Sequence, residues 1–340
     1  MNIRPNANRI YSAAAGVFIT IALFILIMWC SGRNPFLTLE AILHGAFGTT
    51  FGLQETLTRA TPIFLCALAA AIPIRAGVFN IGAEGQLYLG AIMATFVVLN
   101  MPLLPQNLVL PAIIVASMIA GAFGACLTAV FRVYFKVNEI LVGLMLNFIA
   151  ILLLDHLVHG MWKDPDALGW PYSAPFPEWA ILPRLSGSNI HVGPLIGICF
   201  AVLIYFYFRL TKWGFSIRTI EANIPTARYI GINTGWYVII LMMLGGALAG
   251  LAGLGEVTVV QGRLRAGLSP GYGYTGFLIA WLAGNHVLWI IPVCILVGGL
   301  YAGADAVQLT AGLPSSMTEV FMGLVFVGFM INSYLRNRRA

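Results

Sequence analysis

The sequence predicts an all-α polytopic membrane protein with about ten transmembrane helices, and three observations carry that expectation. Only 9% of the 340 residues are charged, where a soluble domain carries about 25%. Hydrophobic residues make up 60% of the chain. The apolar stretches recur from residue 10 to residue 335 instead of gathering at one end. Runs this continuous exclude an outer-membrane barrel of alternating strands, and the composition excludes a soluble enzyme, a disordered tail, a collagen-like fibre and a disulfide scaffold. The net charge of +6 invites a nucleic-acid partner. None is expected, because the basic residues lie between apolar spans and form no single basic face.

A helix that crosses hydrocarbon needs about 20 apolar residues. That ruler places spans at 10–30, 57–74, 85–100, 108–131, 138–158, 192–210, 236–256, 273–284, 287–304 and 317–335. Arg4 and Arg9 precede the first, which lacks an A-x-A-like cleavage site and reads as an uncleaved span rather than a secretory signal. Ten spans put both termini on one side. With that side cytoplasmic, the inner segments hold twelve basic residues, including Arg75, Arg132, Arg209, Arg218, Arg228 and the closing Arg336, Arg338 and Arg339, against six outside. The positive-inside bias therefore puts both termini in the cytoplasm, with residues 1–340 forming a single transmembrane domain. Cys30, Cys66, Cys126, Cys199 and Cys294 fall in or beside apolar segments without a C-x-x-C pair and read as small buried hydrophobes.

Two loops stand out. Residues 159–191 carry five prolines together with Trp162, Trp170 and Trp179, too polar and too broken to span, and read as an external surface loop. Residues 211–235, TKWGFSIRTIEANIPTARYIGINTG, form the one sizeable cytoplasmic excursion. Its middle suits a short helix exposing Arg218, Glu221 and Arg228, a handle for a cytoplasmic partner.

The polar residues at membrane depth carry the chemistry. IRAGVFNIGAEGQLYLGA, Ile74 to Ala91, places glycines, an asparagine, a glutamate and a glutamine where hydrocarbon-spanning sequence is due. Irregular backbone at this depth is tolerated only when buried in protein or lining a polar cavity, and a mid-membrane carboxylate costs at least about 3 kcal/mol. Asn80, Glu84 and Gln86 are thus candidates to line a pathway or hold its gate. The structural alternative has Glu84 capping a broken helix or pairing with Arg75. A second interruption, QGRLRAGLSPGYGYTG from Gln261 to Gly276, repeats the Arg-Ala-Gly of residues 75–77 at 265–267. Matched interruptions in two halves point to an inverted repeat of spans 2–5 by spans 7–10, a transporter device. Gly246 and Gly250 give span 7 a small-xxx-small packing face. His156 and His159 sit at a span end and suit the interface better than a metal. Without G-x-S-x-G or H-E-x-x-H there is no visible hydrolytic nucleophile or metal site.

No lysine among Lys136, Lys163 and Lys212 has the Gly-Lys-Ser/Thr setting that a nucleotide-binding P-loop requires. Transport would be driven either by an ion gradient acting through a carboxylate such as Glu84 or Asp155, or by a separate ATPase on the cytoplasmic loop.

IRAGVFNIGAEGQLYLGA, WGFSIRTIEANIPTARYIGIN and SPGYGYTGFLIAWLAGN together resemble the permease subunits of bacterial ABC importers serving simple sugars and nucleosides. The resemblance runs over essentially the whole chain. Its strongest marker, Phe79 to Gln86, is more similar to nucleoside-type than to ribose-type permeases. The resemblance implies a type II importer fold in the bacterial cytoplasmic membrane, a single non-catalytic permease domain, and a central pathway formed with a second permease, a paralogue rather than a copy. It also implies cytoplasmic ATPases that use ATP and magnesium, none bound by this chain, and an external substrate-binding protein, which the outer loop is expected to meet because it is the largest external segment and its Trp162, Trp170 and Trp179 offer rigid contact area. It makes the 211–235 segment the coupling loop, with Arg218, Asn223, Ala227, Arg228 and Gly231 on the family pattern and Glu221 where many relatives carry glycine. A simple-sugar permease and an ion-coupled secondary transporter are the alternatives.

Overall fold

The computed structural model describes residues 19, 21–30, 32–101, 105–184, 191–284, 286–311, 320, 323–324 and 326–328. The start of the first expected span, all but a few residues of the last, and both basic termini lie outside them. The described residues are almost wholly helical: α1 (Ile21–Cys30), α2 (Pro35–Phe47), α3 (Thr50–Ile74), α4 (Ala83–Asn100), α5 (Gln106–Tyr134), α6 (Glu139–His159), α7 (Gly193–Leu210), α8 (Lys212–Ala222), α9 (Ile224–Tyr229), α10 (Thr234–Gly255), α11 (Tyr272–Leu282) and α12 (Val287–Ala311).

Among the described residues, six helices are long and apolar enough to cross a membrane, or seven if α1 and α2, bent by 114°, count as one broken span. Of the ten expected spans, 85–100 and 273–284 are not among these helices, and 317–335 lies almost wholly outside the described residues. The 273–284 span is the 11-residue α11, about 16 Å long and too short to cross. The 85–100 span is α4, whose first turn spends its length on Glu84 and Gln86. Helix α2 was not expected, although Asn34 accepts hydrogen bonds from the Phe36 and Leu37 amides and Pro35 occupies the first turn, both helix-start signals.

The chain packs as two compact units. One combines the described residues up to Arg59 with those from Ile295 onward. Met28, Ile42 and Val307 form its buried cluster, and Arg59 pairs with Asp305 at 3.0 Å and with Glu55 at 3.2 Å.

The other unit spans Ala60–Cys294 and contains every candidate site residue. At its centre α4, α5 and α10 meet backbone to backbone. A side chain at Gly250 would strike the Ser117 carbonyl, one at Gly253 the Leu87 carbonyl, and one at Gly121 the Gly246 carbonyl. The Ser117 hydroxyl donates to the Gly90 carbonyl at 2.9 Å and locks α5 to α4. Lipid supplies no hydrophobic drive between helices, so close approach of small residues holds them together.

Candidate permeation gate and coupling loop

The two interrupted segments meet in the structure. Each carries its shared glycine in the left-handed region, Gly77 at φ 75° and Gly267 at φ 69°, and each then turns into a helix, α4 or α11. Ser269 accepts hydrogen bonds from the Gly271 and Tyr272 amides, which starts α11. The Glu84 carboxylate, in the first turn of α4, accepts the Gly273 amide at 2.6 Å, and the Ser269 side chain and Gly271 backbone also hydrogen-bond to it. A carboxylate at a helix N-terminus satisfies amides that the helix cannot pair and sits at the positive end of its dipole. A side chain at Gly273 would collide with the Glu84 backbone, so the crossing requires glycine there.

Asn80 and Gln86 form a reciprocal amide pair at 2.9 and 2.8 Å, and Asn80 also donates to the Ala69 carbonyl of α3. Asn80, Glu84 and Gln86 are all buried. Within the protomer they therefore pin α3, the first interrupted segment and α11 to one another. Of the two structural alternatives, the structure has the cap and gives Arg75 other partners: it stacks over Phe208 at 5.0 Å and lies 3.9 Å from Glu221. Asn147, unnoticed in the sequence, completes the network: it accepts the Gly85 amide at 2.8 Å and donates to the Ile81 carbonyl and the Tyr274 hydroxyl. Its signal was legible as a lone amide inside an otherwise apolar run. Glu139 was also missed. It is buried, pairs with Arg132 at 3.2 Å and faces the Phe79 amide at 3.4 Å.

The 211–235 segment folds as two short helices where one was expected. Asn223 ends α8 and caps α9 by accepting the Thr226 amide, and Pro225 starts α9. Arg218 turns back to donate to the Phe208 and Arg209 carbonyls, closing the C-terminus of α7. Ala227 is buried, Arg228 donates to the Thr234 hydroxyl, and Gly231, at φ 86°, ends α9. Outward the segment presents Tyr229, 92% exposed, Phe215, 60% exposed, and Ile230, 55% exposed, with Trp213, Arg218, Glu221 and Arg228 exposed beside them. Ile224 lies against Gly77, so this segment touches the first interruption there and at Arg75–Glu221.

The 159–191 loop pairs with the second interruption: the Ser173 amide donates to the Leu264 carbonyl, the Phe176 amide to the Gly262 carbonyl and the Leu264 amide to the Ser173 hydroxyl. Trp162 packs against Phe96, Trp170 stacks on Tyr172, and Trp179 lies in a short 3-10 turn. The tip, Leu168–Gly169–Trp170, is the most exposed apolar feature among the loop's described residues, with Leu168 94% exposed.

Residues 52–330 match the family model described as "Branched-chain amino acid transport system / permease component". The chain belongs to this permease family. It is a multi-pass membrane protein and a non-catalytic transport subunit of an ABC importer, so the ion-coupled reading falls away. Similar curated proteins include the glucose ABC transporter permease TsgB13 of Haloferax volcanii, 35% identical over 300 residues that cover 85% of this chain and 78% of that one. The guanosine ABC transporter permease NupP of Bacillus subtilis is 28% identical over 321 residues, 94% of this chain and 92% of that one. The nucleoside ABC transporter permease NupB of Lactococcus lactis is 27% identical over 329 residues, 93% and 90% of the two chains. Among solved structures, PsaBC from Streptococcus pneumoniae in complex with Fab matches at TM-score 0.47 and 13% identity, covering 86% of this chain and 95% of that one.

One titratable group outside the permease's spans is poised by its surroundings. His191 is buried just before α7, and its Nδ1 accepts the Gly193 amide at 2.9 Å. Burial, reinforced by the Arg184 guanidinium, lowers its pKa to about 4. The folded value lies below the ordinary value of about 6.5, so the unfolded chain takes up the proton first as pH falls. The stability that His191 contributes is thus present above about pH 6.5 and drains away toward pH 4. Thermal unfolding of the detergent-solubilised permease should show that decline, and His191→Asn, which keeps an acceptor without titrating, should flatten it. Identical pH profiles would remove His191 from the account.

Proposed function

We propose that this permease forms the import pathway for a nucleoside delivered by an external binding protein, with a cytoplasmic ATPase seated on the Tyr229–Ile230 tip. The observation that carries the reading is continuity of contact. The tip's segment touches the first interruption through Ile224–Gly77 and Arg75–Glu221, and that interruption holds the second through Glu84 and Gly273. A displacement of α8 and α9 by the ATPase is thereby handed to both interruptions at once. In this role Asn80, Glu84 and Gln86 position the gate elements, and Arg218, Asn223, Ala227 and Gly231 shape the coupling segment that Tyr229 and Ile230 present.

The remainder of the reading follows the same geometry. The chain takes a type II importer fold with an inverted repeat, supported by the matched left-handed glycines 77 and 267. Both termini and residues 211–235 are cytoplasmic, residues 159–191 are external, and the membrane is a cytoplasmic one. The Leu168–Trp170 tip, with Trp162 and Trp179 behind it, meets the binding protein. ABC importer permeases work with an ATPase and a binding protein. Here the ATPase supplies ATP and magnesium chemistry, and the second permease is a paralogue.

The Phe79 to Gln86 run and two of the relatives favour a nucleoside; the 35% identity to a glucose permease favours a sugar as the second reading. Uptake by the reconstituted complex decides between them: guanosine and adenosine should accumulate and glucose should not, and the reverse result transfers the assignment to sugars. Coupling is tested separately. Tyr229→Asp should lower ATPase co-purification about tenfold or more, since buried aromatic anchors dominate interfaces. Insertion and thermal stability should be unchanged, because the side chain is almost fully exposed. Undiminished ATPase recovery would place the dock elsewhere.

A further inference from the structure

Where α3, α7 and α8 converge, a cavity of about 150 Å³ is lined by three arginines, Arg75, Arg209 and Arg218, beside Tyr205 and Phe208. Among the described residues the one ion pair at this cluster is Arg75–Glu221, and at 3.9 Å it is longer than a hydrogen bond. Each guanidinium offers five donors. Arg218 uses one nitrogen on the Phe208 and Arg209 carbonyls, and Arg209 uses one on the Tyr205 hydroxyl. Three guanidiniums thus line one half-open cavity, among apolar side chains that include Leu68, Ile72 and Ile204, with a single carboxylate 3.9 Å from Arg75.

The cavity lies at a membrane boundary. Arg75 directly follows the last residue of α3, Ile74, and Arg209 is the penultimate residue of α7, so both guanidiniums sit where a span ends. Helix α7 turns Leu203, Phe206 and Leu210 outward, all at least half exposed, which offers an apolar surface leading away from the charges. Phosphate matches guanidinium forks in geometry and charge, and basic pockets between helix ends suit lipid headgroups.

We propose that this cavity binds a phosphate group, the phosphodiester of an anionic phospholipid whose acyl chains lie along α7. The bound phosphate would tie the ends of α3 and α7 to α8. Lipid occupancy at this point would then set how stiffly α8 is held, independently of which solute is carried.

The experiment is native mass spectrometry of the permease extracted in mild detergent and offered phosphatidylglycerol or phosphatidylcholine. Wild type should retain phosphatidylglycerol in preference to phosphatidylcholine, and Arg75→Gln with Arg209→Gln should lower that retention about tenfold or more. Arg209→Lys, which keeps the charge without the fork, should fall between them. Should the double variant fail to fold, Arg209→Gln alone carries the comparison, because that guanidinium contacts Tyr205 on its own helix. Excess inorganic phosphate distinguishes the sources: if it raises the thermal stability of wild type and not of the variant while phosphatidylglycerol is retained no better than phosphatidylcholine, the phosphate site stands and its natural occupant is a soluble anion. Equal retention of both lipids with no phosphate effect, or equal retention by wild type and Arg209→Gln with no phosphate effect, overturns the proposal. None of these readouts depends on transport, so failure here leaves the coupling assignment untouched.

Discussion

Glu84→Ala should abolish transport while leaving the protein in the membrane, and it should lower thermal stability by about 1 to 3 kcal/mol, the cost of stranding buried donors. The reason is geometric. The carboxylate reaches from the first turn of α4 to the Gly273 amide at the first turn of α11, with Ser269 and Gly271 alongside. Removing it separates the two interruptions that the proposed mechanism needs to move together. Glu84→Gln keeps one acceptor oxygen for Gly273 and turns an NH2 group toward the remaining donors, so it should fold better than Glu84→Ala and still transport poorly. Arg75 shares no partner with Glu84, since it faces Glu221 and Phe208. Losses from Glu84→Ala and Arg75→Ala should therefore add within about 0.5 kcal/mol in a double-mutant cycle. Strong non-additivity would show that the two side chains act as a pair after all. Wild-type uptake by Glu84→Ala would remove the carboxylate from the gate altogether.

The reach of the sequence is clear from the same residues. Asn80, Glu84 and Gln86 stood out because polar groups in an apolar run must be satisfied within the protein. Their burial and hydrogen bonding follow from that alone. The partner of Glu84 did not follow, because Gly273 lies 189 residues away and only tertiary packing sets that register. Glu84 and Arg75 do not pair, because the chain turns through Gly77 between the two and sends Arg75 toward α7. The break between α8 and α9 was legible in principle. Asn223 followed by Ile224–Pro225 is a cap with a proline in the first turn of the next helix. The expected ten spans misread α11, whose apolar composition is that of a span but whose 11 residues are those of a half-helix. Composition reports burial, and length reports crossing; only the second separates a span from a segment that enters and turns.

Gly250→Leu should prevent folding. A Cβ at Gly250 would run into the Ser117 carbonyl of α5, with the Gly121 Cα 3.3 Å away, and Gly250 itself fills the space that a side chain at Gly90 of α4 would need. The obstacles are backbone on both sides, so no rotamer change can relieve them, and α10 would have to leave both neighbours. Close backbone approach is what holds helices together in lipid, so the substitution removes the attraction along with the space. Losses beyond about 4 kcal/mol belong to this kind of event. Gly250→Ala should show the same effect in weaker form, as a lower melting temperature and a smaller monodisperse yield after extraction. The control is Gly255, five residues along the same helix, where a Cβ would meet nothing within 4 Å. Gly255→Ala should be neutral or stabilising by up to about 1 kcal/mol, since alanine favours helix over glycine. Equal stability of Gly250→Ala and wild type would mean that α10 can slide on α5, and a packing that slides could not act as the fixed frame against which the two interruptions move.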